Sequence, residues 1–182
     1  MTTKTESVQE AVVTDEILAH FETHFPGVVQ PTDRKDHIGY VIERDQLTDV
    51  ARHIRDEMGY DYLSMVTSAD YATEGYYEVV YAAYSLQRGG EPLIFKARAD
   101  AAKPVMPSLV SVWPGAELQE REVYDMMGVR FEGHPDLRRI LLWEGFDGFP
   151  LRKDWQEPYY EQDTKPFKSR WPGGKAWRMR LR

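Results

Sequence analysis

The 182-residue chain has no cysteine. That absence excludes disulfides, zinc–thiolate sites, thiol nucleophiles and the usual ligation of iron–sulfur clusters in one step. Nor does any apolar run approach the roughly 20 residues that a membrane helix needs. The N-terminus lacks the basic start and apolar middle of a secretory signal, and Glu6, Glu10, Asp15 and Glu16 sit where a transit peptide avoids acid. A soluble protein compatible with a reducing cytoplasm is expected. There is no glycine-rich phosphate loop and no Ser-His-Asp arrangement, so neither a nucleotide or flavin site nor an independent catalytic centre is expected. Between Ala69 and Gln87 there is no lysine or arginine, although tyrosines stand at 71, 76, 77, 81 and 84. A base-stacking platform would lack its phosphate attraction there, and sheet packing accounts better for the rings.

What is present suffices for one core, since 42% of the residues are hydrophobic. Met1 to Val13 is polar and is expected to be flexible. Thr14 reads as a helix N-cap, with Asp15 and Glu16 in the first turn, an apolar stripe of Ile17, Leu18, Phe21 and Phe25, and Pro26-Gly27 as the stop. His20 and His24 are four apart, which is ligand spacing for a metal. His24 falls on the apolar side, where a hydrogen-bonded core histidine is expected, and no third ligand is suggested nearby, so no metal site is expected.

Two short strands are read between Val28 and Glu43, around a turn at Pro31-Thr32-Asp33, the second strand being Ile38 to Ile42. A second helix follows, capped by Asp45, with Leu47, Val50, Ala51, Ile54 and Met58 as its core stripe and Gly59 as its end. His53 lies off that stripe and reads as solvated. Three strands come next: Tyr60 to Thr67, Tyr76 to Leu86, and Leu93 to Arg98 with Leu93, Phe95 and Ala97 inward. Arg88-Gly89-Gly90-Glu91 turns between the last two. Asp100 to Pro107, with two prolines, reads as a connector. The order predicts an α+β domain over 14–155, a two-layer sandwich with helices on one face of a five-stranded sheet.

The chain is organised around Pro114 to Trp155. Pro114 fits the first turn of a helix of about a dozen residues, Glu117 brings negative charge to its N-terminus, and Gly128 suits the left-handed position after its end. At 100° per residue Ala116, Val123, Met126 and Met127 share one face, with Arg121, Glu122 and Asp125 opposite. Glu120 falls inside the apolar arc. A carboxylate there needs a partner, because an unpaired buried ion costs several kcal/mol. Arg138 and Arg139 are the nearest candidates. One reading is a catalytic carboxylate beside a histidine, Glu120 or Glu122 with His134. The other, favoured by residue type, is an ion-paired helix–loop joint supported by the four-residue spacings Glu117 to Arg121 and Arg121 to Asp125.

The run Glu-Arg-Glu-x-x-Asp-Met-Met from Glu120, then six residues, His134, three residues and Arg138-x-Ile140-Leu141, resembles the signature of the 30 kDa subunit family, the C subunit of proton-pumping NADH:quinone oxidoreductase (respiratory complex I). Pro150-Leu151-Arg152-Lys153-Asp154 is similar to its downstream element. The resemblance implies a mixed sheet, and a structural subunit of the peripheral arm on the cytoplasmic side of a bacterial or archaeal plasma membrane, held there through the complex. It implies the D and B subunits as neighbours, with FMN and iron–sulfur clusters in partner subunits and no cofactor in this chain. Glu120, Arg121, Glu122, Asp125, His134, Arg138, Arg139, Arg152 and Lys153 make the expected signature and subunit interface. Equivalent subunits of ferredoxin-, deazaflavin- or hydrogen-dependent complexes are the near alternative.

Charge is divided unevenly. Lys165 to Arg182 carries seven bases and no acid, whereas residues 1–164 hold 16 bases against 30 acids. Phe167, Trp171 and Trp177 interleave with those bases without any helical or strand period. Nucleic-acid binding is one use of such a composition. An extended arm over 156–182, laid on a partner subunit with Trp171 and Trp177 as anchors, is the expected one.

Overall fold

The computed structural model describes residues 16–32 and 39–156. The start expected to be flexible, the Thr14 cap, the turn beyond Thr32, the strand start at Ile38 and the arm bearing Trp171 and Trp177 lie outside them.

Helix α1 spans residues 16–24 and leads through a turn into β1 (Val29–Pro31), which pairs antiparallel with β2 (Tyr40–Ile42). Asp45 does not cap the next helix. It sits inside a 3-10 turn, Arg44–Gln46, with its exposed carboxylate 3.0 Å from Arg44, and α2 (Leu47–Asp56) starts directly from that turn without a side-chain cap. What holds α2 is its apolar stripe: Leu47, Val50, Ala51 and Ile54 are all fully buried, and each of the larger three contributes about 1.5–3 kcal/mol by leaving water. Tyr60 donates its N–H back to the Ile54 carbonyl at 3.1 Å across left-handed Gly59, ending the helix.

The remaining strands are β3 (Tyr62–Tyr71), β4 (Tyr76–Tyr84) and β5 (Leu93–Asp100). Sheet order is β1-β2-β5-β4-β3, with β2 parallel to β5 and the other pairs antiparallel. β3 runs past its expected end at Thr67 because Ser68 to Tyr71 keep pairing with Val79 to Tyr76, and the Tyr71 and Tyr76 rings meet at 5.3 Å. Tyr77, Val79, Tyr81 and Ala83 of β4 stand beside Ala99, Ala97, Phe95 and Leu93 of β5. One hydrophobic cluster joins these residues to Phe21 of α1, the α2 stripe, and Ala116, Val123 and Met127 of the third helix. Helices on one face of a mixed five-stranded sheet are therefore what the chain forms. On the other face Glu78, almost wholly buried, lies 3.3 Å from Lys96 and 3.2 Å from Arg98.

The stretch read as a proline-containing connector holds a strand. β6 (Val105–Pro107) pairs in parallel with β7 (Arg130–Glu132), and between them runs α3 (Ala116–Met127). Pairing across the intervening helix leaves no local pattern in three-residue strands, which is why the sequence does not reveal this small second sheet. α3 lies along the edge strand β3, where Gln119 Oε1 accepts the Val66 N–H at 2.6 Å.

Candidate functional site at the α3 joint

α3 ends where expected: Gly128 is left-handed (φ 73°) and donates its N–H to the Tyr124 carbonyl at 2.9 Å. A side chain at Gly128 is excluded twice, by that φ and by contact, since a Cβ there would lie 2.6 Å from the Phe149 ring and 2.7 Å from Arg152 Nη2. Those two residues belong to residues 134–155, a loop segment that wraps the outer side of α3.

The wrapping corrects the expected helix faces. Arg121 and Asp125, placed opposite the apolar arc, are buried too, because that side is covered by the loop. Asp125 is fully buried: its Oδ2 accepts the backbone N–H groups of Ile140, Leu141 and Leu142 at 3.0, 2.8 and 2.8 Å, and its Oδ1 receives Arg139 Nη1 at 2.8 Å. Burial alone would raise its carboxyl, but the three backbone donors and the guanidinium outweigh it and hold the group below the usual carboxylate range. Arg121 turns neither to Glu117 nor to Asp125. Its Nε and Nη2 donate to the carbonyls of Arg138 and Arg139 at 3.1 and 3.4 Å. Arg139 also donates to the Gly148 carbonyl at 3.1 Å and faces the Phe149 ring at 5.2 Å.

Glu120 finds a different partner from the one expected. It is fully buried, and neither Arg138 nor Arg139 reaches it; its carboxylate accepts the Ser108 hydroxyl at 2.6 Å and the Leu109 N–H at 2.7 Å. Phase explains this: Glu120 points inward toward the turn after β6, while the arginines lie over the outer side. With no cation beside it among the described residues, burial pushes its pKa up to about 7, against the pull of the two donors. Beside it the buried Tyr81 hydroxyl has no hydrogen-bond partner among the described residues, and its pKa is raised first by burial and then by Glu120.

The carboxylate–histidine pair is not assembled. His134 Nδ1 accepts the Asp136 N–H at 3.0 Å, which puts the hydrogen on Nε2, 2.9 Å from the Glu117 carbonyl. His134 is thus a staple between loop and helix, and Glu122 is exposed. Arg138 bonds Asp136 at 2.8 Å on the surface. Arg152 donates to the Met127 carbonyl at 2.7 Å and lies over the rings of Tyr77 and Phe149 at 4.9 and 4.6 Å, so a cation sits at the negative end of α3.

Sequence reasoning missed the anchor at the far end. Asp70, at the end of β3, accepts the Lys153 N–H and the Ala72 N–H at 2.8 Å each. Burial works to raise its carboxyl, and those two donors with the nearby charges of Lys153 and Arg152 bring it below its ordinary value. The bond to Ala72, two residues on, was legible as an Asx turn; the one to Lys153 was not. Leu118, Ile140, Leu141, Trp143 and Leu151 stay exposed around the joint.

Away from the joint, His24 is hydrogen-bonded as expected but does not lie in the core, and His53 is half-buried rather than solvated. His24 is exposed, its Nδ1 2.9 Å from the His20 carbonyl, and His53, read as solvated, brings Nε2 within 2.9 Å of His20 Nε2. Among the described residues no helix is long and apolar enough to cross a membrane.

Residues 40–161 match the family described as respiratory-chain NADH dehydrogenase, 30 Kd subunit. The C subunit of the NADH-quinone oxidoreductase of Moorella thermoacetica is 36% identical over 142 residues, covering 78% of this chain and 95% of that protein. A solved structure described as the trypsin-resistant fragment (1-134) of Nqo5 shares 28% identity with a TM-score of 0.54, covering 68% of this chain and 98% of the fragment. A chain of the membrane-bound sulfane sulfur reductase, an archaeal respiratory membrane complex, superposes with a TM-score of 0.66 at 25% identity, covering 85% of this chain and 95% of that one. The α3 joint, the mixed sheet and the match over most of the chain agree: this protein belongs to the 30 kDa subunit family of the respiratory-chain NADH dehydrogenase.

Proposed function

We propose that this chain is a structural subunit of the peripheral arm of a proton-translocating NADH:quinone oxidoreductase. It carries no catalytic centre of its own. Electrons pass from NADH through FMN and iron–sulfur clusters in partner subunits to quinone, and this chain positions those partners. The observation that carries the reading is the use made of the signature: Glu120, Arg121, Asp125, His134 and Arg139 spend their polar atoms on backbone groups, Ser108 or one another, locking α3 to its loop. Such an arrangement shapes a rigid surface; it does not aim a nucleophile or base at an open cleft.

The exposed apolar residues near the joint, with Glu122, Arg138 and Lys153, support a docking surface for the D and B subunits. Trp171 and Trp177, outside the described residues, are further partner anchors in this reading. The complex sits on the cytoplasmic face of a bacterial or archaeal plasma membrane, and this chain reaches the membrane only through its partners. The likeness to the sulfane sulfur reductase chain favours one second reading, the equivalent subunit of a related ferredoxin-, deazaflavin- or hydrogen-dependent complex. Affinity purification from native membranes tests all of this. Recovery of the D and B subunits with a flavin-containing NADH module supports the first reading, and another input module supports the second. Recovery of nucleic acid alone, released steeply by salt, would overturn both.

A further inference from the structure

α1 and α2 bring three imidazoles together. His20 and His24 come from successive turns of α1 and His53 from the last turn of α2. One donor nitrogen from each lies within 4.8 Å of the other two. The rings are spaced 4.4, 5.1 and 4.7 Å between centroids, and Phe25 packs edge-on against His53 at 5.3 Å.

We propose that His20, His24 and His53 form a binding site for one zinc-class divalent ion that clamps α1 to α2. The donor set is all imidazole, which suits zinc, nickel or copper and not the oxygen-seeking magnesium or calcium. Zinc–nitrogen bonds of about 2.0–2.1 Å at tetrahedral angles put donors roughly 3.4 Å apart. The His20–His53 pair, at 2.9 Å, is already near that spacing, and exposed His24 swings in to complete three ligands. Its Nδ1 bond to the His20 carbonyl fixes the tautomer that leaves Nε2 free to ligate, the usual role of a partner behind a metal-bound imidazole. Water fills the fourth position. In metal-free protein a single hydrogen serves the contact between His20 and His53, and the ion takes its place.

The test uses the full chain without a histidine tag, stripped with EDTA and titrated with zinc chloride against a chromophoric chelator. One ion per chain is expected at submicromolar affinity, with a melting point that rises with zinc concentration. Cobalt(II) should give the visible absorption of a four-coordinate site. His53→Ala and His24→Gln should each weaken binding by more than the roughly 10–100-fold that loss of an outer-shell partner costs. Circular dichroism checks folding, and exposed His24 decides alone if the His53 variant does not fold. Absence of stoichiometric zinc, or zinc affinity unchanged in His24→Gln, overturns the site.

Discussion

Glu120→Gln should stabilise this protein at pH 8 and leave it almost unchanged near pH 4.5. The carboxyl is fully buried and its pKa is about 7 in the folded chain against an ordinary 4.5. Well below pH 4.5 it is protonated in both states, and at 4.5 the unfolded chain is only partly ionised, a difference of under about 0.5 kcal/mol. Between pH 4.5 and 7 the unfolded chain releases its proton first, so stability falls as pH rises, and above 7 the loss is complete. The two values differ by about 2.5, and each pH unit is worth about 1.36 kcal/mol, so ionised Glu120 costs about 3 kcal/mol at pH 8. Glutamine keeps an oxygen for the Leu109 N–H, and its amide can donate to the Ser108 hydroxyl, so the neutral arrangement survives. Urea melts of wild type and variant across pH 4.5 to 8, taken as a difference, cancel every other titrating group. A difference that grows by about 3 kcal/mol toward alkaline pH is the expected result. A flat difference, or a variant less stable at pH 8, would refute the picture of an unpaired buried carboxylate.

Asp125→Ala strands Arg139 and three backbone N–H groups, and should cost about 3–5 kcal/mol in chemical denaturation. Because the Asp125 pKa is depressed, its contribution is present above the ordinary carboxylate pKa and is lost as pH falls through the lowered value, so the variant should approach wild type in strong acid. Gly128→Ala must hold a side chain at φ 73° against Phe149 and Arg152, and should lower stability by at least about 2 kcal/mol. Limited proteolysis should then cut within residues 134–155, and an intact loop would contradict the joint as drawn. Deleting 165–182 should leave the melting point unchanged while abolishing co-purification with the other subunits. Normal assembly of the truncated chain would remove the arm from the interface.

Local chemistry was legible in the residues themselves. Gly59 and Gly128 ended their helices where a left-handed residue is required, the inward side of β5 followed from alternation, and the α2 stripe followed from its 3.6-residue period. Those features depend on neighbours within a turn or a strand, so sequence spacing carries them. Three-dimensional contact decided the rest. A period of 3.6 identifies one buried side of α3 but cannot announce a second, and the second exists only because residues 134–155 fold back over it. That return buries Arg121 and Asp125, gives Asp125 three backbone donors 15 to 17 residues away, and leaves Glu120 to Ser108 and Leu109. Long-range pairing likewise set the order β1-β2-β5-β4-β3 and the parallel match of β6 with β7. It also carried His53 across 33 residues to His20, because a spacing rule sees only one helix at a time while packing brings two together.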